Sequence, residues 1–188
     1  MAPGTLREER RWLPTIAVAA VIGFVVLGGY VTAAALSSPA GRPETVNGIV
    51  TVQPLSDWAF AGRFESPVGP GIRFTRGSGT LDAFAAPFPG DARALAERYA
   101  TDVLEPEADR LSVSPNLETV RLPSGATAVR FSYIGVFGEA GGGPIEGEVT
   151  AVVSSSGSGV VFDGWAPQGV LRFVLGDEHT MIDRARVT

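Results

Sequence analysis

One segment near the start of the chain contains no charged side chain over 24 residues. Residues 13–36 include 18 hydrophobic residues, and the other six are proline, glycine or threonine. A helix of this length measures about 36 Å at about 1.5 Å per residue, and it has to cross roughly 30 Å of hydrocarbon. The pattern therefore predicts a single transmembrane helix over residues 13–36.

Arginines flank this segment unequally. Arg7, Arg10 and Arg11 precede it, whereas Arg42 follows alone. Because positively charged flanks tend to stay in the cytoplasm, we expect residues 1–12 to form a cytoplasmic tail. The rest of the chain is then extracytoplasmic, and the protein is expected in the cell membrane with a single pass.

A cleaved signal peptide is the alternative interpretation of the same segment. Ala33, Ala34 and Ala35 form a small-residue pattern of the kind found at cleavage sites. The apolar part of a signal peptide is usually only about 7–15 residues long, so the longer segment here favours a retained anchor. Both interpretations place the following residues on the same side of the membrane.

Beyond this segment the pattern changes to that of a globular domain. Residues 37–46 are mostly small or polar and include two prolines. They predict a linker that spans roughly 16–19 Å on average when flexible. Residues 47–188 form the predicted extracytoplasmic domain. From residue 37 onward, 62 of 152 residues are hydrophobic, and twelve arginines and eighteen acidic residues give a net charge of −6.

Alternating hydrophobicity predicts that this domain is rich in β-strands. Short apolar runs separated by Gly, Pro and Ser are typical of strands joined by tight turns. The predicted strands cover residues 49–52, 58–64, 72–75, 80–85, 117–122, 126–137, 145–154, 160–165 and 186–187. In the strand at 58–64, alternation places Trp58, Phe60, Gly62 and Phe64 on one face. In the longest strand, apolar residues face both sides, which indicates a central position.

Apolar residues at spacings of three and four predict two helical regions. Asp91 is expected to cap a helix that runs to about Leu104 and ends before Pro106. A second, approximate stripe covers residues 168–185, where Gly176 is expected to weaken the helix. Hairpins connect antiparallel strands, so the expected class is α+β, with an antiparallel sheet flanked by helices.

The order of elements and several local segments resemble the Mog1/PsbP-like fold family over about residues 46–188. The segments are Val52-Gln53-Pro54 before Asp57-Trp58, Tyr99 to Leu104 at a helix end, Leu122-Pro123-Ser124-Gly125 before the longest strand, and Met181-Ile182 before Arg186-Val187. The resemblance implies an α/β/α sandwich with a non-enzymatic role in binding or assembling other proteins. The Ala/Gly-rich composition with arginine as its only strong base is similar to that of actinobacterial envelope proteins. Lipoprotein members carry an anchor cysteine, and here a predicted transmembrane helix replaces it.

Composition excludes several classes of protein and of site. The 188 residues include no Cys, no Lys and one His, and the net charge is −5. The absence of Cys excludes disulfides, a thiol nucleophile and a lipid-modified cysteine. A single histidine excludes a multi-histidine zinc site, and the negative charge argues against a nucleic-acid partner. We therefore expect no catalytic residue, no cofactor site and no metal site.

The residues that most resemble catalytic groups are better explained as surface residues. His179 is the only imidazole, and its acidic neighbours lie on the same predicted helix, which does not suit a Ser–His–Asp triad. Glu146 and Glu148 share one strand face, where a solvated face is favoured over a glycosidase-type acid–base pair. Acidic residues between 177 and 183 lack the loop spacing of a calcium site. A hydrolase is therefore only the third hypothesis.

Aromatic residues are the better candidates for a binding site. Trp58, Phe137 and Trp165 are expected to contact a partner, because aromatic side chains at strand ends often anchor partners, and core packing is the alternative. The leading function is a membrane-anchored accessory module that binds another envelope or membrane-complex protein. The alternative is a carrier of a small ligand or lipid, with a pocket between sheet and helix lined by Phe, Trp and Tyr.

Overall fold

The computed structural model describes residues 41–138 and 143–188. The predicted tail at residues 1–12 and the predicted transmembrane helix at residues 13–36 lie outside this part. The sequence also predicts a glycine-rich loop at residues 138–143, between two predicted strands, and residues 139–142 of it lie outside this part as well. No helix within the described residues combines the length and the apolar character needed to cross a membrane.

The described part of the chain contains eleven strands and two principal helices. The strands are β1 (Glu44–Val46), β2 (Val50–Val52), β3 (Ala59–Ser66), β4 (Gly69–Arg76), β5 (Gly79–Pro87), β6 (Ala108–Val113), β7 (Glu118–Arg121), β8 (Thr127–Phe137), β9 (Pro144–Val153), β10 (Ser158–Pro167) and β11 (Arg186–Val187). The helices are α1 (Ala92–Tyr99) and α2 (Leu175–Arg184). Three short helical turns accompany them, at Ala100–Leu104 (a π-helical turn), Glu105–Glu107 and Leu171–Phe173 (a 3-10 turn).

Eight of these strands form one antiparallel sheet in the order β3–β4–β5–β10–β9–β8–β6, with β7 also paired to β8. The predicted hairpins β4–β5 and β9–β10 are confirmed. The longest predicted strand, β8, is central as expected, because β9 pairs with one side of it and β6 and β7 with the other. The strands β1, β2 and β11 form a separate small sheet.

Helix α1 begins where the sequence predicts, whereas α2 ends near the predicted position but begins at Leu175, seven residues after the predicted start at 168, because the chain first forms the 3-10 turn at Leu171–Phe173. Asp91 Oδ1 accepts a hydrogen bond from the Ala94 amide at 2.8 Å, so Asp91 caps α1 as expected. The helical path continues through the π-helical turn, and the chain leaves it for β6 at Ala108, two residues after Pro106. Gly176 lies within α2 without interrupting it.

The large sheet has an apolar core on each face. On one face, called the α1 face, Leu95, Ala96 and Tyr99 of α1 pack against β8, β9 and β10. On the other, called the α2 face, Met181 and Ile182 of α2 pack into a cluster that also includes the small sheet. The expected antiparallel sheet with helices on both faces is therefore confirmed.

Three local features differ from the prediction. The register of β3 shifts between Phe60 and Gly62, so Phe60 packs against Phe74 of the α2-face cluster and Phe64 against Phe84 of the α1-face cluster. The prediction that Phe60 and Phe64 share a face is wrong, because one extra residue in a strand reverses the alternation that follows it. Strand β6 was not predicted. Strand β1 lies within the last three residues of the predicted linker.

Candidate functional site

A cavity of about 380 Å³ opens on the α1 face between the helical segment and the sheet. We call it the cleft. Its aromatic walls come from both helix and strands, and they are Phe64, Phe84, Tyr99, Tyr133, Phe137 and Trp165. Its polar groups include Arg73, Asp82 and Asp163 on three neighbouring strands, and Glu107 near the end of the helical segment. The cleft thus combines apolar surface with a few charged groups, as ligand sites do.

Arg73 and Asp82 form the charged pair at one side of the cleft. The Arg73 guanidinium donates from Nε to Asp82 Oδ1 at 2.7 Å and from Nη2 to Oδ2 at 2.8 Å. Its Cζ atom also lies over two rings, 5.1 Å from the Phe64 centroid and 5.6 Å from that of Trp165. The Trp165 Nε1–H donates to Asp82 Oδ2 at 3.3 Å. Paired charges and cation–π contacts therefore fix the orientation of these side chains.

Asp163 lies directly across the strand pair from Asp82 and is buried. Its carboxyl accepts hydrogen bonds from the hydroxyls of Tyr99 at 2.7 Å and Tyr133 at 2.9 Å. Burial raises the pKa of Asp163 to about 7, and the nearby Asp82 carboxyl adds to the rise, although the two hydroxyls oppose it. Burial also raises the pKa of Asp82, against the opposing effect of Arg73.

Strand alternation places both aspartates in the cleft. On β5 and β10 the residues on either side of Asp82 and Asp163 face the α2 side, so the carboxyls face α1. Neither aspartate was singled out from the sequence. The available signal was an acidic residue in the middle of an otherwise apolar strand, because such a residue is rarely buried without a partner.

Two of the three predicted binding residues belong to the cleft. Phe137 and Trp165 both contribute to its walls, and Phe137, which is 9% exposed, also packs in the α1-face core. Trp58 lies on the α2 face instead, where it is 3% exposed and packs in the core. Its Nε1–H donates to Asp177 Oδ2 at 3.4 Å. The structure therefore brings Phe137 and Trp165 together and separates Trp58 from them.

The groups considered for catalysis make structural contacts. His179 Nε2 lies 2.6 Å from Glu148 Oε1, which also pairs with Arg130 at 3.1 Å. Glu146 accepts hydrogen bonds from the amides of Gly169 and Leu171, both at 3.0 Å, and so holds the turn before α2. Within residues 41–138 and 143–188, no three histidine or acidic side chains converge on a position that could hold a metal ion.

Glu178 of α2 is an unusual buried group that lies against β10 on the α2 face. It is 1% exposed, and neither of its carboxyl oxygens has a hydrogen-bond partner among the residues that the structure describes. Its carboxyl rests against Gly164 of β10, at a point where a Cβ atom would overlap it. Burial raises the pKa of Glu178 to about 8, and the nearby carboxyls of Asp163 and Glu148 raise it further.

Comparison with solved structures decides which fold this arrangement represents. The cyanobacterial PsbP protein (CyanoP) from Synechocystis sp. PCC 6803 aligns with a TM-score of 0.55 and 13% identity over 78% of this chain and 92% of that one. LpqN, described as involved in cell envelope biogenesis of Mycobacterium tuberculosis, aligns with a TM-score of 0.53 and 14% identity over 79% and 85%. The chain has a Mog1/PsbP-like fold.

Sequence comparison adds nothing to this assignment, since no protein-family profile and no curated protein matches the chain. At identities of 13% and 14%, the structural similarity defines the fold alone. The roles of residues in the cleft of this Mog1/PsbP-like domain are therefore argued from their own geometry.

The buried carboxyls make stability depend on pH. Between about pH 4.5 and about pH 8, Glu178 in the folded protein keeps a proton that it has lost in the unfolded chain. The free energy of unfolding therefore falls as pH rises through this range. The raised pKa of Asp163 lowers stability with rising pH in the same way, up to about pH 7. Glu178→Gln should therefore raise the melting temperature at pH 8 by several degrees and change it little at pH 5.

Thermal unfolding followed by circular dichroism measures this effect. Glu97→Gln is the matched control, because Glu97 is exposed on α1, and it should leave the melting temperature unchanged at both pH values. A wild-type protein that becomes more stable between pH 5 and pH 8, or a Glu178→Gln variant that melts earlier at pH 8, would contradict the account.

Proposed function

We propose that this protein is a membrane-anchored, extracytoplasmic binding module without catalytic activity, which contacts another envelope or membrane-complex protein through the cleft. The observation that carries the proposal is the cleft itself, an open cavity of about 380 Å³ with six aromatic walls. Aromatic side chains in such positions supply much of the binding energy of protein interfaces. Phe137 and Trp165, which the sequence indicates as binding residues, both lie there.

The chemistry of the cleft supports binding over catalysis. Asp82 is engaged by Arg73 and Trp165, and Asp163 by two tyrosine hydroxyls. The only histidine, His179, pairs with Glu148, which lies outside the cleft. The polar groups are thus arranged to hold one another and the walls in place.

The sequence supports the proposed location. The apolar segment at residues 13–36 is long enough for a membrane anchor, and the arginines before it favour a cytoplasmic N-terminus. LpqN, which shares the fold, is described as involved in cell envelope biogenesis. A short predicted linker would keep the domain near the outer face of the membrane.

A small-ligand or lipid carrier is the second candidate function. Ligand pockets are usually cavities of about 300–1,000 Å³ with apolar and aromatic linings, and the cleft has about 380 Å³ with such a lining. A second cavity of about 210 Å³ lies on the same face and shares Phe84 with the cleft.

Location can be tested by thiol labelling, because the natural chain has no cysteine. Ser156→Cys places one thiol in the exposed turn between β9 and β10. We expect a membrane-impermeant maleimide to label it in intact cells. Thr5→Cys in the predicted cytoplasmic tail should be labelled only after lysis. If Thr5→Cys alone were labelled in intact cells, the proposed orientation would be contradicted.

Partner binding can be tested by recovery of complexes in mild detergent at native expression. Trp165→Leu should reduce partner recovery at least tenfold, because it removes a ring from the cleft wall. Phe173→Leu is the matched control, since Phe173 is 66% exposed and does not line the cleft, and recovery should stay unchanged. Recovery of the protein alone, or equal losses in both variants, would contradict partner binding through the cleft.

A further inference from the structure

The cleft contains more carboxyl groups than cationic groups. Four carboxyl groups line it, those of Glu65, Asp82, Glu107 and Asp163, and Arg73 is its only basic lining residue within the described part of the chain. Arg73 directs two donors to Asp82, so its guanidinium is already engaged. Asp163 has no salt-bridge partner among the described residues, and only hydroxyl groups donate to its carboxyl.

Asp163 retains the capacity to accept further hydrogen bonds. An ionised carboxylate offers about four lone-pair positions, and the hydroxyls of Tyr99 and Tyr133 supply its side-chain hydrogen bonds. A buried carboxylate without a countercharge is costly, so it either keeps a proton or takes up a cation. The cavity beside it provides room for a cation to enter.

The walls of the cleft suit an organic cation. The faces of tyrosine, phenylalanine and tryptophan attract ammonium and guanidinium groups. The cleft already holds one such contact, in which the Arg73 guanidinium lies over the rings of Phe64 and Trp165. Tyr133 and Phe137 form a further aromatic pair in the cleft wall, with ring centroids 6.2 Å apart. An anion would instead meet an excess of carboxyls.

We propose that the cleft binds an alkylammonium group, whose charge is taken up by Asp163 and whose apolar stem packs on the aromatic walls. The inference rests on the proposed function, because it names the chemistry that a binding module would recognise there. Two sources share this chemistry, the side chain of a lysine in a partner protein and a free aliphatic amine.

Binding by Asp163 is coupled to loss of its proton. The groups that face Asp163 are Tyr99 from the helix, Tyr133 from β8, Asp82 and Arg73 from β5 and β4, and Glu178 from the opposite side of the sheet. Burial and Asp82 favour retention of the proton on Asp163, whereas the Tyr99 and Tyr133 hydroxyls, Arg73 and a bound ammonium favour its release. Affinity for the ammonium should therefore rise by about tenfold between pH 6 and pH 8, following ionisation of Asp163.

The test uses the full chain in detergent micelles and saturation-transfer NMR with matched small molecules. We expect n-butylammonium to bind at least tenfold more tightly than n-butanol, and butyrate to bind least. A second arm compares acetyl-Gly-Lys-Gly-amide with the same peptide carrying norleucine, which lacks the charge. Preference for the lysine peptide assigns the cation to a protein partner, and binding of n-butylammonium alone assigns it to a free amine.

Two variants distinguish binding by Asp163 in the cleft from a general effect of the protein's net charge. Asp163→Asn should reduce n-butylammonium affinity at least fivefold and abolish its pH dependence. Asp183→Asn removes the same charge from an exposed position on α2 and should leave both unchanged. Circular dichroism confirms that both variants fold. If Asp163→Asn does not fold, Trp165→Leu replaces it, and loss of n-butylammonium binding is again expected.

Equal binding of n-butylammonium and n-butanol, preference for butyrate, or equal losses in the two aspartate variants would overturn the proposal. Such a result leaves the proposed function intact if Trp165→Leu still prevents partner recovery. Conversely, n-butylammonium binding with no recoverable partner supports the ammonium site and favours a small-ligand carrier over a partner-binding module.

Discussion

Two buried carboxyl groups, Asp82 and Asp163, lie opposite each other on the central strands β5 and β10, and the α1 face is organised around them. Buried carboxylates require partners, and these partners come from different elements. Arg73 on β4 engages Asp82, whereas Tyr99 of α1 and Tyr133 of β8 engage Asp163. The same contacts orient the rings that form the walls of the cleft, so stability and the shape of the site depend on one network.

The α2 side of β10 holds a further buried carboxyl group, that of Glu178. Gly164 follows Asp163, and because it lacks a side chain, it leaves the space that the Glu178 carboxyl occupies. The Asp163 carboxyl therefore raises the pKa of Glu178 through the sheet, in addition to the effect of burial. Apolar packing around Trp58 and Phe162 forms the core of the α2 face.

Local patterns were enough to predict much of this fold. The Asp91 cap, the apolar stripe of α1 and the β9–β10 hairpin each depend on neighbouring residues, and the structure confirms them. The bulge at Phe60–Gly62 was missed because period-two alternation contains no signal for an extra residue. Strand β6 has few alternating apolar residues, and its pairing with β8 is a tertiary effect.

The candidate site was predictable only in part. Aromatic residues at strand ends suggest Phe137, Trp165 and Trp58 as binding residues. The fold places Phe137 and Trp165 in the walls of the cleft and buries Trp58 on the α2 face. Asp82 and Asp163 are 81 positions apart in the chain and become neighbours only through the pairing of β5 with β10. Periodicity treats each of them as an interruption of an apolar strand, so their shared role appears only once the strand order is known.

The claim that the cleft is the binding surface can be tested most directly by site-specific photo-crosslinking in cells. A photoreactive phenylalanine analogue would replace Phe137 in the cleft wall or, in a separate protein, exposed Phe173 outside it. The account predicts a discrete crosslinked adduct from position 137 and none from position 173. Adducts from position 173 alone, or equal adducts from both positions, would show that the cleft is not the surface that binds.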